Sequence, residues 1–297
     1  MLTVVMVLVL WQPAVAQEDT ALEAHLQALA ASHQGKVALF ATDVRNGKMA
    51  SIDGNRPVPT ASVIKLIILF EALKQIQEGR VHFADQLTLT AENQVEGSGV
   101  LNLLDTPLKV TLKDALTMMI VLSDNSGTNL VIDYLGLANI DRRIEWMGLH
   151  DTWLYKKVFK PVIGPVPADQ KQFGLGKTTA YEMAQVMRRF ASCDLNAQPS
   201  SAKPSEQDQR LCDAALHMLK NQSDRNGIPR YLGDLTVANK TGALDDVRND
   251  VGIVYAPKGP FIISAFTYQN KDQTWTSDNR AESFIATVAK TIVERWR

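Results

Sequence analysis

The sequence predicts an α/β protein of the α+β type, in which one antiparallel sheet is assembled from the two ends of the chain. Strand-like runs occur near the N-terminus, KVALFATDV and KMASID, and return late as LTVANKTG, VGIVYAP and GPFIISAFTYQ. A long stretch of helical patterns separates the two groups. Strands at both ends of a helical middle favour a sheet flanked by helices, with an all-helical lobe inserted into it.

These elements divide the 297 residues into a leader and two lobes. Residues 1–16 contain an apolar run and end in Ala14-Val15-Ala16, which is typical of a cleaved signal peptide and too short to span a bilayer. A buried N-terminal strand or an uncleaved anchor is the alternative. Residues 17–60 with about 221–297 form the predicted sheet lobe, and about 61–220 the helical lobe, together one catalytic domain. We therefore expect a secreted or periplasmic protein with no membrane span after cleavage.

Local signals support each element in turn. ALEAHLQALAASHQ has apolar residues at helical spacing and stops at Gly35, and Asn46-Gly47 is a strong hairpin signal. From Ser62 onward, SVIKLIILFEALKQIQEG is apolar on nearly every side, which predicts a buried helix ending at Gly79. Residues 151–177 are rich in Pro, Gly and Lys without periodicity and predict a long loop. Further helices are predicted at LKDALTMMIVL, SGTNLVIDYLG, TTAYEMAQVMRRFA, RLCDAALHMLKN and AESFIATVAKTIVERW.

Composition narrows the classes of partner. Lys and Arg number 31 against 32 Asp and Glu, a net charge of −1, so no overall field attracts nucleic acid or an anionic membrane. The five histidines form no zinc-binding pattern, and we expect a monomer that needs no metal or other cofactor. Cys193 and Cys212 flank a polar stretch, where they either pair in an oxidising compartment or remain two thiols.

Three short motifs point to chemistry through their order and context. Ser62-Val63-Ile64-Lys65 opens the buried helix, Ser123-Asp124-Asn125 lies between two helical patterns, and Lys240-Thr241-Gly242 ends a late strand. Each motif alone is weak, because a second S-x-x-K occurs at Ser200-Ser201-Ala202-Lys203 in a polar loop. A second S-D-N, Ser277-Asp278-Asn279, precedes the final helix, where a Ser or Asp fits an N-cap. Only the first member of each pair has the context of a site.

The three motifs together predict nucleophilic acyl transfer by Ser62. Residues three apart on a helix share a face, so Lys65 can reach Ser62 Oγ and act as the base that serine needs. Burial and the positive charge of Lys240 would lower the pKa of Lys65 enough for this role. The Ser123 hydroxyl could relay the proton to the leaving nitrogen. The helix N-terminus at Ser62 and the backbone N–H of Ala243 would stabilise an oxyanion.

On these motifs the chain resembles class A serine β-lactamases and the related penicillin-binding proteins. The resemblance runs from about residue 20 to the C-terminus and includes Val95-Glu96-Gly97-Ser98-Gly99-Val100-Leu101. It implies a β-lactamase/transpeptidase-like fold, and a β-lactam or a peptidoglycan stem peptide as the small-molecule partner. It also implies that Ser62 is the acylated serine, with Lys65, Ser123 and Lys240 as the proton-transfer and electrostatic group.

The same resemblance implies the substrate-binding residues. Asn125 would bind the side-chain amide of the substrate, and Asn129 would hold the active-site loop. Thr241, Gly242 and Ala243 would bind substrate through hydroxyl and main chain. Arg248 lies where many members carry the arginine that supports the substrate carboxylate, and an exposed strand arginine is the alternative.

One departure from the family concerns turnover. Family β-lactamases carry a glutamate in the loop before a Thr-Thr pair, and this glutamate activates the water that hydrolyses the acyl-enzyme. Thr178-Thr179 is recognisable here, and counting back from it puts Gly164-Pro165 at the glutamate position. No carboxylate occurs from 152 to 168, Asp169 is the nearest, and Lys177 replaces the family's loop-clasping Asp. The sequence therefore contains the residues expected for acylation, but it lacks the loop glutamate that would act as the base in deacylation.

Three functions remain open at this point. The first is a serine hydrolase that opens β-lactams slowly or with a substitute base. The second is a D-alanyl-D-alanine peptidase acting on peptidoglycan stems. The third is a covalent β-lactam-binding or sensing module without turnover. The missing glutamate favours the second and third functions over rapid hydrolysis of β-lactams, which is the family's usual activity.

Overall fold

A computed structural model describes residues 17–196 and 202–297. The predicted signal peptide, residues 1–16, and the second S-x-x-K serine, Ser200, lie outside these residues. The strands are β1 Gln17–Glu18, β2 Lys36–Asp43, β3 Lys48–Ile52, β4 Val58–Pro59, β5 Gln86–Leu89, β6 Leu108–Thr111, β7 Trp153–Leu154, β8 Gly176–Thr178, β9 Thr236–Leu244, β10 Val247–Ala256 and β11 Gly259–Tyr268. The helices are α1 Thr20–Ser32, α2 Lys65–Gln77, α3 Leu112–Val121, α4 Asn125–Leu135, α5 Leu137–Trp146, α6 Gln170–Phe173, α7 Ala180–Ser192, α8 Glu206–Lys220 and α9 Arg280–Trp296.

The main sheet joins the two ends of the chain, as predicted. Its order is β1-β3-β2-β11-β10-β9, and the ends meet where β2 pairs with β11, with Asp43 opposite Phe261. The turn at Asn46-Gly47 links β2 to β3 as an antiparallel hairpin. The prediction of a wholly antiparallel sheet is wrong at one edge, because β1 runs parallel to β3. A two-residue strand lacks the length for a period-2 pattern, so periodicity gives no signal for it.

The main sheet separates two hydrophobic cores, because successive side chains of a strand point to opposite faces. On β2, Leu39 and Ala41 face the core formed with α1 and α9. Ala38 and Phe40 face the other core, which the remaining helices build around α2. The face that carries α2 is the one on which the catalytic motifs meet.

The central helix α2 follows a single 3-10 turn, Ala61–Ile64, that carries Ser62. Residues 65–75 are all buried, as the apolar sequence on every side predicts. The helix ends at Gln77, and Gly79 takes a left-handed φ of 69° just beyond it. Placing Ser62 on a tight turn at the entrance, instead of inside the α-helix, leaves its side chain partly exposed.

Two helices were not predicted, the four-residue α6 and the longer α5. Helix α5 begins at Leu137, directly after Gly136, whose φ of 86° turns the chain at the end of α4. Its sequence LANIDRRIEW is half charged or polar, which hides the apolar stripe among Arg and Asp residues. Ile140 and Ile144 are buried and lie four apart on one face, so this spacing was the available signal.

The segment 151–177, predicted as a long loop, is largely irregular but is tied down at both ends. Strands β7, β8 and β4 form a small antiparallel sheet, with Trp153 opposite Lys177 and Val58 opposite Thr178. The short helix α6 lies within the segment. The small sheet fixes the segment beside the turn that carries Ser62.

Cys193 and Cys212 form a disulfide that joins the end of α7 to α8, with their Cα atoms 5.6 Å apart. Both sulfurs lie in the core on the α2 side of the sheet. The structure thus decides between the two states that the sequence left open.

Candidate active site

The turn at Ser62 is held against strand β9 by a close backbone approach. A Cβ atom at Gly242 would lie 3.0 Å from the amide nitrogen of Ser62 and 2.9 Å from the carbonyl oxygen of Thr60. Only glycine leaves room for this approach. On the other side, the amide of Thr60 donates to the Gly176 carbonyl at 2.9 Å. The K-T-G motif and the loop therefore flank the serine from two directions.

Lys65 places a fully buried amine beside the S-D-N motif. Its Nζ donates to the carbonyl oxygen of Ser123 at 2.7 Å, to Ser123 Oγ at 3.1 Å and to Asn125 Oδ1 at 3.1 Å. The predicted bond from Lys65 to Ser62 Oγ is not among its hydrogen bonds. Burial holds the pKa of Lys65 well below its usual value, and the charge of Lys240 lowers the pKa further. This environment favours the neutral amine, which is the form that accepts a proton.

Ser123 links the two lysines. Its Oγ accepts from Lys65 Nζ and from Lys240 Nζ, each at 3.1 Å. Its backbone φ of 54° is unusual for a residue with a side chain, and such conformations concentrate at functional sites. Asp124 holds this geometry, because its carboxylate accepts from the amides of Gly127 at 2.8 Å and Leu101 at 2.9 Å. Asp124 therefore fixes the S-D-N turn, a role that the motif alone did not indicate.

Lys240 is the second fully buried amine. Its Nζ donates to Ser123 Oγ and, at 2.8 Å, to the carbonyl oxygen of Thr241. Burial lowers the pKa of Lys240 to about 8, although the carboxylates of Asp224 and Asp250 oppose this shift. Near neutral pH, Lys240 therefore keeps its charge.

Two cavities open on Ser62. The larger, of about 680 Å³, is lined by Ser62, Asn125 and Ala243, among others. The smaller, of about 260 Å³, is lined by Ser62, Ser123, Thr241, Gly242 and Ala243, among others. Of the predicted catalytic and substrate-binding residues, all except Lys65, Lys240 and Arg248 line one of these cavities. Both lysines hydrogen-bond to Ser123, which lines the smaller one.

Arg248 is not presented at the cleft as predicted, nor is it an exposed strand residue. Its side chain is 2% exposed, and its terminal nitrogens donate to the carbonyl oxygens of Val247 at 2.8 Å and Thr274 at 2.6 Å. Its Nε lies 3.4 Å from the carboxylate of Glu282. The contact with a substrate carboxylate therefore stays a prediction, and the structure places Arg248 in a buried position between Glu282 and Trp275. Contacts with Thr274 and Glu282, which lie far along the chain, decide the position of the Arg248 side chain, and no local motif predicts these contacts.

The loop side of the larger cavity carries no acid among the described residues. Its lining there consists of Lys156, Val158, Phe159, Gly174 and Leu175. Gly164, at the position where counting placed the glutamate, has a φ of 81° and is not among the lining residues.

Asp169, the nearest acid in sequence, is already engaged. Its carboxylate accepts from the Tyr155 hydroxyl at 2.7 Å and from Lys177 Nζ at 2.6 Å. The hydrogen bond from Lys177 lowers the pKa of Asp169 below its usual value. Among the described residues that line the larger cavity, the one carboxylate is Asp245, in the β9–β10 turn.

Asn129 clasps the loop, as the resemblance implied. Its Oδ1 accepts from the amide of Val158 at 2.8 Å, and its Nδ2 donates to the Val158 carbonyl at 2.9 Å. The second S-D-N motif caps α9 through Asn279, whose side chain accepts from the amide of Ala281 at 2.9 Å. The motif therefore does cap the final helix, but the predicted capping residue, Ser277 or Asp278, is wrong, because Asn279 makes the cap.

A serine on a turn before a buried helix, with two buried lysines joined through a second serine, defines the class of active-site-serine hydrolases with a β-lactamase/transpeptidase fold. The sequence profile described as the β-lactamase enzyme family matches residues 21–296. The chain belongs to this family.

Individual relatives agree in fold and extent. A β-lactamase from Bacillus licheniformis is 24% identical over 291 residues, 95% of this chain and 86% of the relative. The crystal structure of a β-lactamase from Sphaerobacter thermophilus has a TM-score of 0.78 at 25% identity, covering 93% of this chain and 96% of that one. A mutant of PBP-A in an acyl-enzyme complex with penicillin G has a TM-score of 0.79 at 23% identity, covering 96% and 99%.

Two further observations concern other classes of site. Within residues 17–196 and 202–297, no group of three or more His, Cys, Asp and Glu side chains is arranged to hold a metal ion. Over the same ranges, no helix combines the length and the apolar character that crossing a membrane requires.

Proposed function

We propose that β-lactams acylate this protein at Ser62 and that the acyl-enzyme is hydrolysed slowly. The observation that carries the proposal is the hydrogen-bonded chain from the buried Lys65 through Ser123 Oγ to the buried Lys240. Ser123 lines the same cavity as Ser62. The larger cavity has a volume typical of a small-molecule site. Intact-protein mass spectrometry with penicillin G tests the proposal, because acylation adds the full mass of the ring-opened antibiotic.

In the proposed acylation, Ser62 Oγ attacks the lactam carbonyl carbon while neutral Lys65 accepts the hydroxyl proton. The N–H groups of Ser62 and Ala243 stabilise the resulting oxyanion. As the C–N bond breaks, the Ser123 hydroxyl gives its proton to the lactam nitrogen and receives one from Lys65. Lys240 stays charged beside Ser123 and attracts the carboxylate of the substrate. The bond from Lys65 to Ser62 would form as substrate enters, since catalytic hydrogen bonds often tighten only in the complex.

This mechanism predicts a bell-shaped pH dependence of the acylation rate. The rate should rise with pH as Lys65 loses its proton, and should fall above about pH 8 as Lys240 loses its charge. Stopped-flow measurement of the acylation rate from about pH 5 to pH 10 gives both limbs of the profile. This range spans ordinary catalytic pKa values of about 6–9. Lys240→Arg is the matched variant, because guanidinium stays charged and should remove the alkaline limb. A flat profile in the unmodified protein would contradict the two assigned protonation states.

Slow hydrolysis is proposed because, among the described residues, no acid lines the loop side of the larger cavity, where it could activate water. We expect the penicilloyl-enzyme to persist for minutes to hours. Lys156→Glu puts a carboxylate on the lining of the cavity and should shorten this lifetime at least tenfold, since general-base catalysis is typically worth about 10²–10⁴-fold. The decay of the adduct, followed by mass spectrometry, measures the effect.

Gly164→Glu is the control for that experiment. Gly164 is not among the lining residues of the cavity, and its positive φ disfavours a side chain, so this change should leave the lifetime unaltered. If the unmodified protein instead turns over penicillin at the roughly 10–10³ s⁻¹ of a competent enzyme, the loop argument fails. Asp245 would then be the first acid to replace.

A D-alanyl-D-alanine peptidase is the second candidate function. The absence of a loop-side acid in the described lining favours it, because an acceptor amine or another nucleophile can resolve an acyl-enzyme without that base. Release of D-alanine from a stem pentapeptide measures this activity. A long-lived adduct with penicillin but no release of D-alanine would instead favour a covalent sensing module.

Action outside the cytoplasm is part of the same proposal. The Cys193–Cys212 disulfide supports it, because disulfides persist in oxidising compartments. The apolar leader that ends at Ala16 is the sequence feature that would direct export.

A further inference from the structure

Phe159 projects from the loop into the cleft in an unfavourable backbone conformation. Its φ is 52°, which is rare for a bulky residue, and its side chain is 60% exposed. The residues on either side are held in place. The main-chain amide and carbonyl of Val158 both hydrogen-bond to the side chain of Asn129, and Lys160 Nζ donates to the Glu92 carbonyl at 2.9 Å. The anchors fix the backbone around Phe159, but no apolar core covers its ring.

The ring of Phe159 lies close to the residue proposed to bind the substrate amide. A Cβ atom at Gly97 would be 3.2 Å from this ring and 2.7 Å from Asn125 Nδ2. Gly97 has a φ of 89° and thus leaves space that a side chain would fill. An acyl group whose amide contacts Asn125 therefore passes directly beside Phe159.

Trp275 supplies a second exposed aromatic surface, from the segment between β11 and α9. It is 66% exposed and lines both cavities that open on Ser62. The guanidinium of Arg248 lies 4.4 Å from the centre of a Trp275 ring. Because Arg248 is itself buried and bonded to main-chain carbonyls, it forms a fixed support for the indole.

We propose that Phe159 and Trp275 are specificity-determining residues that select substrates with an aromatic or bulky apolar acyl side chain. Together with Leu244, which is also exposed, they make an apolar lining to the larger cavity. Exposed apolar surface within a cleft marks a ligand site, and ring–ring contacts add to the affinity from burial alone. The assignment of this cavity to the acyl side chain rests on the proposed function, through Asn125 and Ala243.

Calorimetry of ligand binding to the Ser62→Ala protein tests this selectivity without acylation, because the proposed nucleophile is absent. The ligands are benzylpenicillin and 6-aminopenicillanic acid, which have the same bicyclic nucleus but differ in the phenylacetyl group. Phe159→Gly and Trp275→Ala, each added to this background, should lower the affinity for benzylpenicillin about three- to tenfold, as expected for loss of one aromatic contact. Affinity for 6-aminopenicillanic acid should stay within about twofold. Trp275→Phe should retain most of the preference.

Two readouts separate a binding role from a structural one. Phe159→Gly should melt at the same or a higher temperature, because glycine accepts a positive φ without strain. Tyr231→Ala is the matched control, since Tyr231 is 44% exposed and lies over Arg230 at 5.5 Å but lines neither cavity. It should leave the affinities for both ligands unchanged.

Equal losses for the two ligands, or an unchanged ratio of affinities in both aromatic variants, would overturn the proposal. Acylation of the unmodified protein is measured separately by mass spectrometry. A protein that binds benzylpenicillin in preference but forms no adduct would refute the proposed function and still support the aromatic selection. An adduct that forms equally fast with benzylpenicillin and with 6-aminopenicillanic acid would support the proposed function and refute the aromatic selection.

Discussion

Replacing Ser62 by alanine is expected to abolish covalent labelling by a fluorescent penicillin. Ser62 and Ser98 both line the two cavities, and Ser62 is the one that lies on the turn leading into the helix that begins at Lys65. Replacing Ser62 removes the proposed nucleophile, so the loss should reach the detection limit. In-gel fluorescence after incubation with the probe measures the result.

Ser200→Ala is the control, because Ser200 belongs to the second S-x-x-K motif and should be dispensable. The same gel should show full labelling of this variant. Circular dichroism of both proteins guards against unfolding. Labelling that persists in Ser62→Ala would refute the assignment of the nucleophile, and with it the mechanism proposed for Lys65 and Ser123.

Lys65→Ala should slow acylation by about 10²–10⁴-fold, the usual contribution of a general base. Lys240→Ala should have an effect of similar size, because a buried charge next to developing negative charge is removed. Stopped-flow rates measured over a range of substrate concentrations distinguish the two variants, because they give the limiting rate constant and the apparent affinity separately. Loss of Lys65 should act on the rate constant, and loss of Lys240 also on the apparent affinity for a substrate carboxylate.

Lys74→Ala is the matched control for these variants. Lys74 is also nearly buried on α2, but its Nζ bonds to Gln77 and it lines neither cavity. Its replacement should leave the rate within about twofold, although it also removes a buried charged group. Lys65→Met should be slow but at least as stable as the unmodified protein, since it removes a buried amine without leaving a cavity. Near-normal rates in Lys65→Ala would require another base.

Element types and the catalytic group were accessible from the sequence because both depend on local patterns. The continuous apolar runs of α2 and β2 reflect which residues must be buried. The motif context then separated Ser62 and Ser123 from chance repeats of the same letters. The helix α5 was missed because its few apolar residues are diluted by charged ones.

The sequence by itself thus determined the fold class and the order of the main elements, and it predicted the four residues of the acylation group. Only the tertiary structure decided that Lys65 bonds to Ser123 and Asn125 and that Arg248 lies buried beneath Trp275. It also decided which part of the 151–177 segment lines the cleft. These features depend on contacts between residues far apart in the chain. Periodicity and motif spacing describe neighbours, whereas hydrogen bonds and packing in the folded protein set which distant groups meet.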